Sequence, residues 1–294
     1  MMKKPLILLT FSNQQKDHLP NLDKERKEIK EKLSPAVQQG QIILEHESAT
    51  NTDDIFKYFD QYRGQVKIFH FGGHADPQNI ILDGKTANGK ALAELLAEEN
   101  KLGGIELVFL NGCATYGHVA QILAAGVKAV IATSVKVKDT EATDFAIQFY
   151  QSFAEGASIQ EAYHRASTLM KTKNATDSRF LRLGEIRYSE LLPEAQQKAD
   201  DTLPWALYCK ESDRPNLLWS LKDIKMTNLE NFKKELIDLV ENAEYKEVFE
   251  KINKSHYTYD KFLLNRLQKQ IAFKVEMDLI DQLKVFIGTL KEPS

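Results

Sequence analysis

Two residues in this 294-residue chain have types and surroundings suited to nucleophilic chemistry, His74 and Cys113. Each follows an apolar run. Residues 66–71 lead into Gly72-Gly73-His74-Ala75-Asp76, and residues 105–111 lead into Gly112-Cys113-Ala114-Thr115. A free thiol titrates near about 8.5, so most of it is protonated at neutral pH and is a poor nucleophile. A neighbouring imidazole can accept that proton or stabilise the thiolate, and the positive end of a helix beginning after Cys113 would help further. The glycines fit the same purpose: Gly72-Gly73 permits a sharp turn that aims His74, and Gly112 lets a substrate backbone come close to Cys113. The backbone N–H groups of Cys113 and Ala75 are the natural donors to an oxyanion in acyl transfer.

Other residues compete with this reading. Most free cysteines are small buried packing residues, and Cys209 reads that way. Cys113 would too without His74 and the flanking glycines, but together they form a nucleophile–base constellation. His118 follows Cys113 by five residues. It is a rival base expected in a helix or its first turn, on the surface. His70 and His74 have no evident third ligand, so no metal site is expected. Ser12, Asn13, Thr133 and Ser134 fall at strand ends, where they can contact substrate or act as turn residues. Asp76, Asn111, Asp139 and Glu141 are further candidates for lining a substrate pocket. The mixed-sign run from Lys24 to Lys32 reads as a solvated helix face, and the pair Asp200-Asp201 as an exposed loop.

The elements that must position these residues are legible as periodicity. Short apolar runs at residues 6–11, 41–47, 66–71, 105–111 and 127–133 predict strands. Several are continuous rather than alternating, as strands buried on both faces should be. Helical patterns at residues 22–33, 54–62, 91–99, 118–125, 140–154 and 159–170 fall between or after them. The alternation predicts an α/β fold, a mostly parallel sheet with helices on both faces. In such a sheet function gathers at the carboxyl edge, where adjacent strands would set His74 and Cys113 side by side. Residues 79–84 predict a short hairpin or extended segment. Residues 203–209 predict a last strand, at an edge because of Pro204.

From about residue 226 the pattern is all helical. Thr227-Asn228-Leu229-Glu230 has the form of a capping box. Four apolar stripes follow: Leu229, Phe232, Leu236, Leu239 and Val240; Tyr245, Val248, Phe249 and Ile252; Phe262, Leu263, Leu267 and Ile271; Leu279, Ile280, Leu283 and Phe286. The expected organisation is an α/β domain over residues 1–222 and a four-helix domain over residues 226–294, the second near the lower size limit for independent folding.

Composition narrows the class. The chain is 43% hydrophobic and 28% charged, with 39 basic and 42 acidic residues. That is a globular chain with no electrostatic footprint for non-specific nucleic-acid binding. Two cysteines cannot build a disulfide framework and suit a reducing compartment. No run is long enough to span a bilayer, and the apolar start has neither the length nor the cleavage site of a signal peptide. The expectation is a cytoplasmic protein that binds neither membrane nor nucleic acid.

Phe69-His70-Phe71-Gly72-Gly73-His74 and Val108-Phe109-Leu110-Asn111-Gly112-Cys113-Ala114-Thr115 resemble the paired signatures of CHAT proteases, caspase-like cysteine peptidases of the caspase and separase clan. The likeness continues through residues 120–133, Lys138-Asp139-Thr140-Glu141-Ala142 and residues 156–162, and covers nearly all of residues 5–210. The resemblance implies a caspase-like three-layer sandwich, with His74 as general base, Cys113 as nucleophile and no cofactor. Two departures stand out. Ala75 occupies a place where relatives often have Gly, and Asn111 stands where some arginine-specific relatives place an acid. The C-terminal helices resemble, more loosely, effector-associated domains, small adaptors that pair with like domains on other proteins. This implies a bacterial defence setting, a partner bearing a matching helical domain, and a protein substrate such as a gasdermin-like or other operon product. The competing reading is a catalytically dormant caspase-like scaffold that acts by binding. A nucleotide-binding module is disfavoured, because Gly72-Gly73-His74 makes a poor phosphate cradle.

Overall fold

The computed structural model describes residues 4–13, 18–76, 78–82, 85–188, 203–223, 228–255, 259–273 and 277–291. The expected turn at Asp83-Gly84, the pair Asp200-Asp201 and the cap residue Thr227 lie outside them. The chain divides into two compact units, residues 3–224 and residues 225–294.

The first unit is built on a seven-stranded sheet. Its strands are β1 (Leu6–Ser12), β2 (Ile43–Glu47), β3 (Val66–Gly73), β6 (Leu107–Asn111), β7 (Ala129–Ala132), β8 (Ile186–Tyr188) and β9 (Ala206–Cys209), in the order β2-β1-β3-β6-β7-β9-β8. All neighbours run parallel except β7 and β9. The helices are α1 (Leu22–Gln38), α2 (Thr52–Gln61), α3 (Gly89–Gly103), α4 (Val119–Ala124), α5 (Asp139–Ala154), α6 (Ile159–Lys173) and the single turn α7 (Ser178–Leu181). Ile7, Leu9 and Phe11 of β1 join the core under α1, α5 and α6, while Leu6 and Leu8 join the core under α2, α3 and α4. That split is the alternation of a strand buried on both faces, and it makes the unit a three-layer sandwich. Between β3 and α3 the chain forms an antiparallel hairpin of β4 (Asn79–Leu82) and β5 (Lys85–Asn88).

Two expectations about this unit need correction. The strand at residues 206–209 is not at the edge: it lies between β7 and β8. Pro204 precedes the ladder, so its missing N–H takes nothing from the pairing. The edge is β8, three residues with a central Arg187, too short to give a periodic signal. The run Lys24–Lys32 is not wholly solvated. Leu22, Glu25, Ile29, Leu33 and Ala36 form one buried stripe of α1, and Glu25 is part of it at 1% exposure.

The second unit consists of α8 (Asn228–Glu241), α9 (Tyr245–Lys254), α10 (Lys261–Phe273) and α11 (Met277–Gly288). Its core contains Leu236, Val240, Val248, Phe249, Ile252, Leu267, Ile271, Leu283 and Phe286. Phe262 departs from its expected stripe: it is 81% exposed, and Leu264 is buried instead. The two are separated by about 200° around the helix, so only one can face inward.

Among the described residues no helix is long and apolar enough to cross a membrane.

Candidate active site

β3 and β6 are hydrogen-bonded neighbours, and Gly72 of one pairs with Asn111 of the other. His74 and Cys113 each stand two residues beyond that pair, on strands separated by about 4.8 Å. The two turns that carry them touch. A β-carbon on Gly112 would lie 2.7 Å from the Gly73 carbonyl oxygen and 3.1 Å from Ala75 Cβ. Only glycine permits this approach, and packing rather than backbone conformation is the reason.

The Cys113 turn is held from beneath by two threonines. Thr115 Oγ1 donates to the Leu110 carbonyl, at 3.2 Å. Thr133 donates to the Gly112 carbonyl, and its N–H donates to Thr115 Oγ1 at 3.0 Å. Ala114 takes up the left-handed conformation, with φ 53°, which costs a non-glycine residue about 1–2 kcal/mol. Cys113 is half-buried, and its Sγ lies 3.9 Å from the Val137 carbonyl oxygen, just before α5. The helix expected to begin behind Cys113 is instead a 3-10 turn, Thr115–His118, followed by the short α4. A helix-end field on the thiol is correspondingly weak.

The His74 turn is fixed by the hairpin. The Ile81 N–H donates to the His74 carbonyl at 3.0 Å, and the Asp76 N–H to the Asn79 carbonyl at 2.9 Å. Ala75 bridges Ile80 between these two bonds. In that antiparallel arrangement its own N–H points away from the hairpin. Asp76 Oδ1 accepts from the N–H groups of Gln78 and Asn79, both at 2.8 Å. The Gln78 bond is the main reason the Asp76 carboxyl is held below its ordinary range.

His118 is no surface residue. It is 3% exposed, and Nε2 lies 2.9 Å from the Asp76 carbonyl oxygen. A carbonyl accepts only, so Nε2 carries the proton. His118 thus ties the Cys113 turn to the His74 turn, and burial holds its pKa below 6.5.

The remaining candidates fall in different places. Ser12 pairs with Gly73 at the end of β1; it is 1% exposed, and its hydroxyl has no hydrogen-bond partner. Ser134 lies near the Tyr208 hydroxyl, at 3.5 Å. Asp139 Oδ2 accepts from the backbone and side-chain amides of Asn21, at 2.9 and 2.7 Å. Glu141 caps α5, accepting from the Lys138 N–H at 3.3 Å. Asn111 faces the core rather than an open pocket. Its Nδ2 donates to Glu25 Oε1 at 2.9 Å and to the Ala142 carbonyl at 3.1 Å, and its Oδ1 accepts from Trp205 Nε1 at 3.3 Å. Cys209 is fully buried, as expected of a packing residue.

Sequence reasoning passed over Glu25. The signal was present: residues 22, 25, 29, 33 and 36 keep a helical period, and Glu25 is the one charged member of the buried stripe.

A family model described as the CHAT domain matches residues 3–215. No curated protein matches by sequence. Among solved structures, the Drosophila initiator caspase Dronc is 12% identical with a TM-score of 0.40, over 57% of this chain and 72% of that one. The Arg-specific cysteine proteinase gingipain R is 13% identical with a TM-score of 0.46, over 73% of this chain and 47% of that one.

Proposed function

The chain belongs to the CHAT domain family, and from that premise we propose that its first unit is a cysteine endopeptidase with Cys113 as nucleophile and His74 as general base. Cys113 Sγ attacks the scissile carbonyl carbon as its proton passes to His74. The oxygen gains negative charge, and the N–H groups of Cys113 and Ala75 receive it. Collapse breaks the C–N bond, and His74 returns its proton to the departing amine. A water, giving a proton to His74, then attacks the thioester. The acid product leaves and the thiol is restored. No step requires a cofactor.

The observation that carries this reading is the contact of Gly112 with Gly73 and Ala75, which brings the two turns against each other. The outward N–H of Ala75 and the half-buried thiol are what acyl transfer at that seam requires. The helical second unit is read as the recruiting part. It would pair with a matching helical domain on a partner and bring a protein substrate to the first unit, as in a defence system with a gasdermin-like target.

The test is the identification of newly formed protein ends with wild type, Cys113→Ala and His74→Ala. Each variant should lose at least about 10³-fold in cleavage rate with its melting temperature nearly unchanged. Cleavage by Cys113→Ala at the wild-type rate would refute the proposal.

A further inference from the structure

Glu25 is a buried carboxylate with no part in the chemistry above. Its neighbours on the inner stripe of α1 are Leu22, Ile29 and Leu33, and a fourth apolar residue would suit the position. Burying a carboxylate is costly unless hydrogen bonds or a partner compensate. Here one oxygen, Oε1, receives two donors: His70 Nε2 at 3.1 Å and Asn111 Nδ2 at 2.9 Å.

Those donors stand on the two strands that lead to the proposed dyad. His70 lies on β3, four residues before His74, and Asn111 lies on β6, two residues before Cys113. One side chain from the helical layer thus grips both strands just before they end. His70 is sealed in by Phe11, Phe109 and Tyr150, with ring centroids 5.3, 4.9 and 5.5 Å away. Its Nδ1 is buried without a hydrogen-bond partner. The bond to Glu25 is thus made by Nε2, and a carboxylate oxygen accepts only, so Nε2 is the donor. The same knot reaches α5 through the Ala142 carbonyl and the segment before β9 through Trp205, both bonded to Asn111.

We propose that Glu25 is a positioning residue for the dyad: its Oε1 ties β3 to β6 and sets the separation at which the His74 imidazole can take the Cys113 proton. This rests on the peptidase reading, and the test separates the two.

The experiment measures the rate of Cys113 alkylation by iodoacetamide against pH on the full chain, read by mass spectrometry of the Cys113 peptide. Wild type is compared with His74→Ala, Glu25→Ala, Glu25→Gln and Asn111→Leu. A thiol assisted by His74 reacts readily at neutral pH, and His74→Ala should slow that reaction. Glu25→Ala should move the profile the same way, with a loss of about tenfold or more at neutral pH. Glu25→Gln keeps an oxygen acceptor for both donors and should rescue the rate to within about threefold of wild type. Asn111→Leu removes the β6 arm together with the bonds to the Ala142 carbonyl and the Trp205 indole, and should behave as Glu25→Ala, which serves if that variant does not fold. Folded Glu25→Ala or Asn111→Leu with the wild-type profile would overturn the positioning role and leave the dyad standing. Wild type and His74→Ala with the same profile would bring down the dyad itself.

Discussion

Gly112 has room for a hydrogen and nothing larger. A methyl there meets the Gly73 carbonyl oxygen and Ala75 Cβ, both on the turn that carries His74, so the cost falls on the distance between base and nucleophile. Misplacement of reacting groups by about 1 Å costs roughly a hundredfold in rate. Gly112→Ala is therefore expected to lower kcat/KM by about that factor while the protein remains folded, as judged by peptide hydrolysis beside circular dichroism. Wild-type kinetics would show that the two turns need not stay in contact. At this scale the sequence displayed His74, Cys113 and their glycines, because glycine runs at strand ends are unusual and local. It did not display the fate of Asn111, which is consumed by partners 86 and 94 residues distant in the chain. Nor did it separate Asp139 and Glu141, whose carboxylates engage Asn21 and the start of α5, from acids open to a substrate.

Between elements, the link that titrates is His118, reaching from the turn after Cys113 to the turn after His74. Burial lowers its folded pKa below 6.5. Between that lowered value and 6.5 the unfolded chain binds the additional proton, so stability is full above 6.5 and falls as the pH drops through the window. Asp76 has a depressed pKa as well, so its contribution is present above 3.8 and is lost at lower pH, in a separate range. Glutamine can donate to the Asp76 carbonyl without titrating. His118→Gln should therefore flatten the acid fall in melting temperature that sets in below pH 6.5, measured by calorimetry as the pH is lowered. An unchanged slope would assign it to other groups. The strands around this link were legible because buried parallel strands make continuous apolar runs. The edge strand β8 was not, being three residues long. His118 was misread as a surface residue because a single 3-10 turn has no periodicity from which to infer its inward side.

Each of the two units has its own hydrophobic core. The proposed dyad and all its supports belong to the first. A chain ending at Ile224 is thus expected to hydrolyse a small peptide substrate with kcat/KM within about tenfold of the full chain, while capture of a protein substrate through its partner is lost. Absence of peptide hydrolysis by the shortened chain would place part of the catalytic apparatus in the helices beyond. The division into units showed in the sequence as a change of period near residue 226, whereas the place of residues 206–209 inside the sheet did not, since pairing order is set by contacts across the whole unit. That placement governs when the proposed site can first be complete. Trp205, whose indole holds Asn111, and the strand that completes β7 are the last pieces of the sheet to leave a ribosome. A nascent chain that has already exposed His74 and Cys113 still lacks the brace behind them. The proposed dyad is therefore left without that brace until nearly the whole first unit has been made.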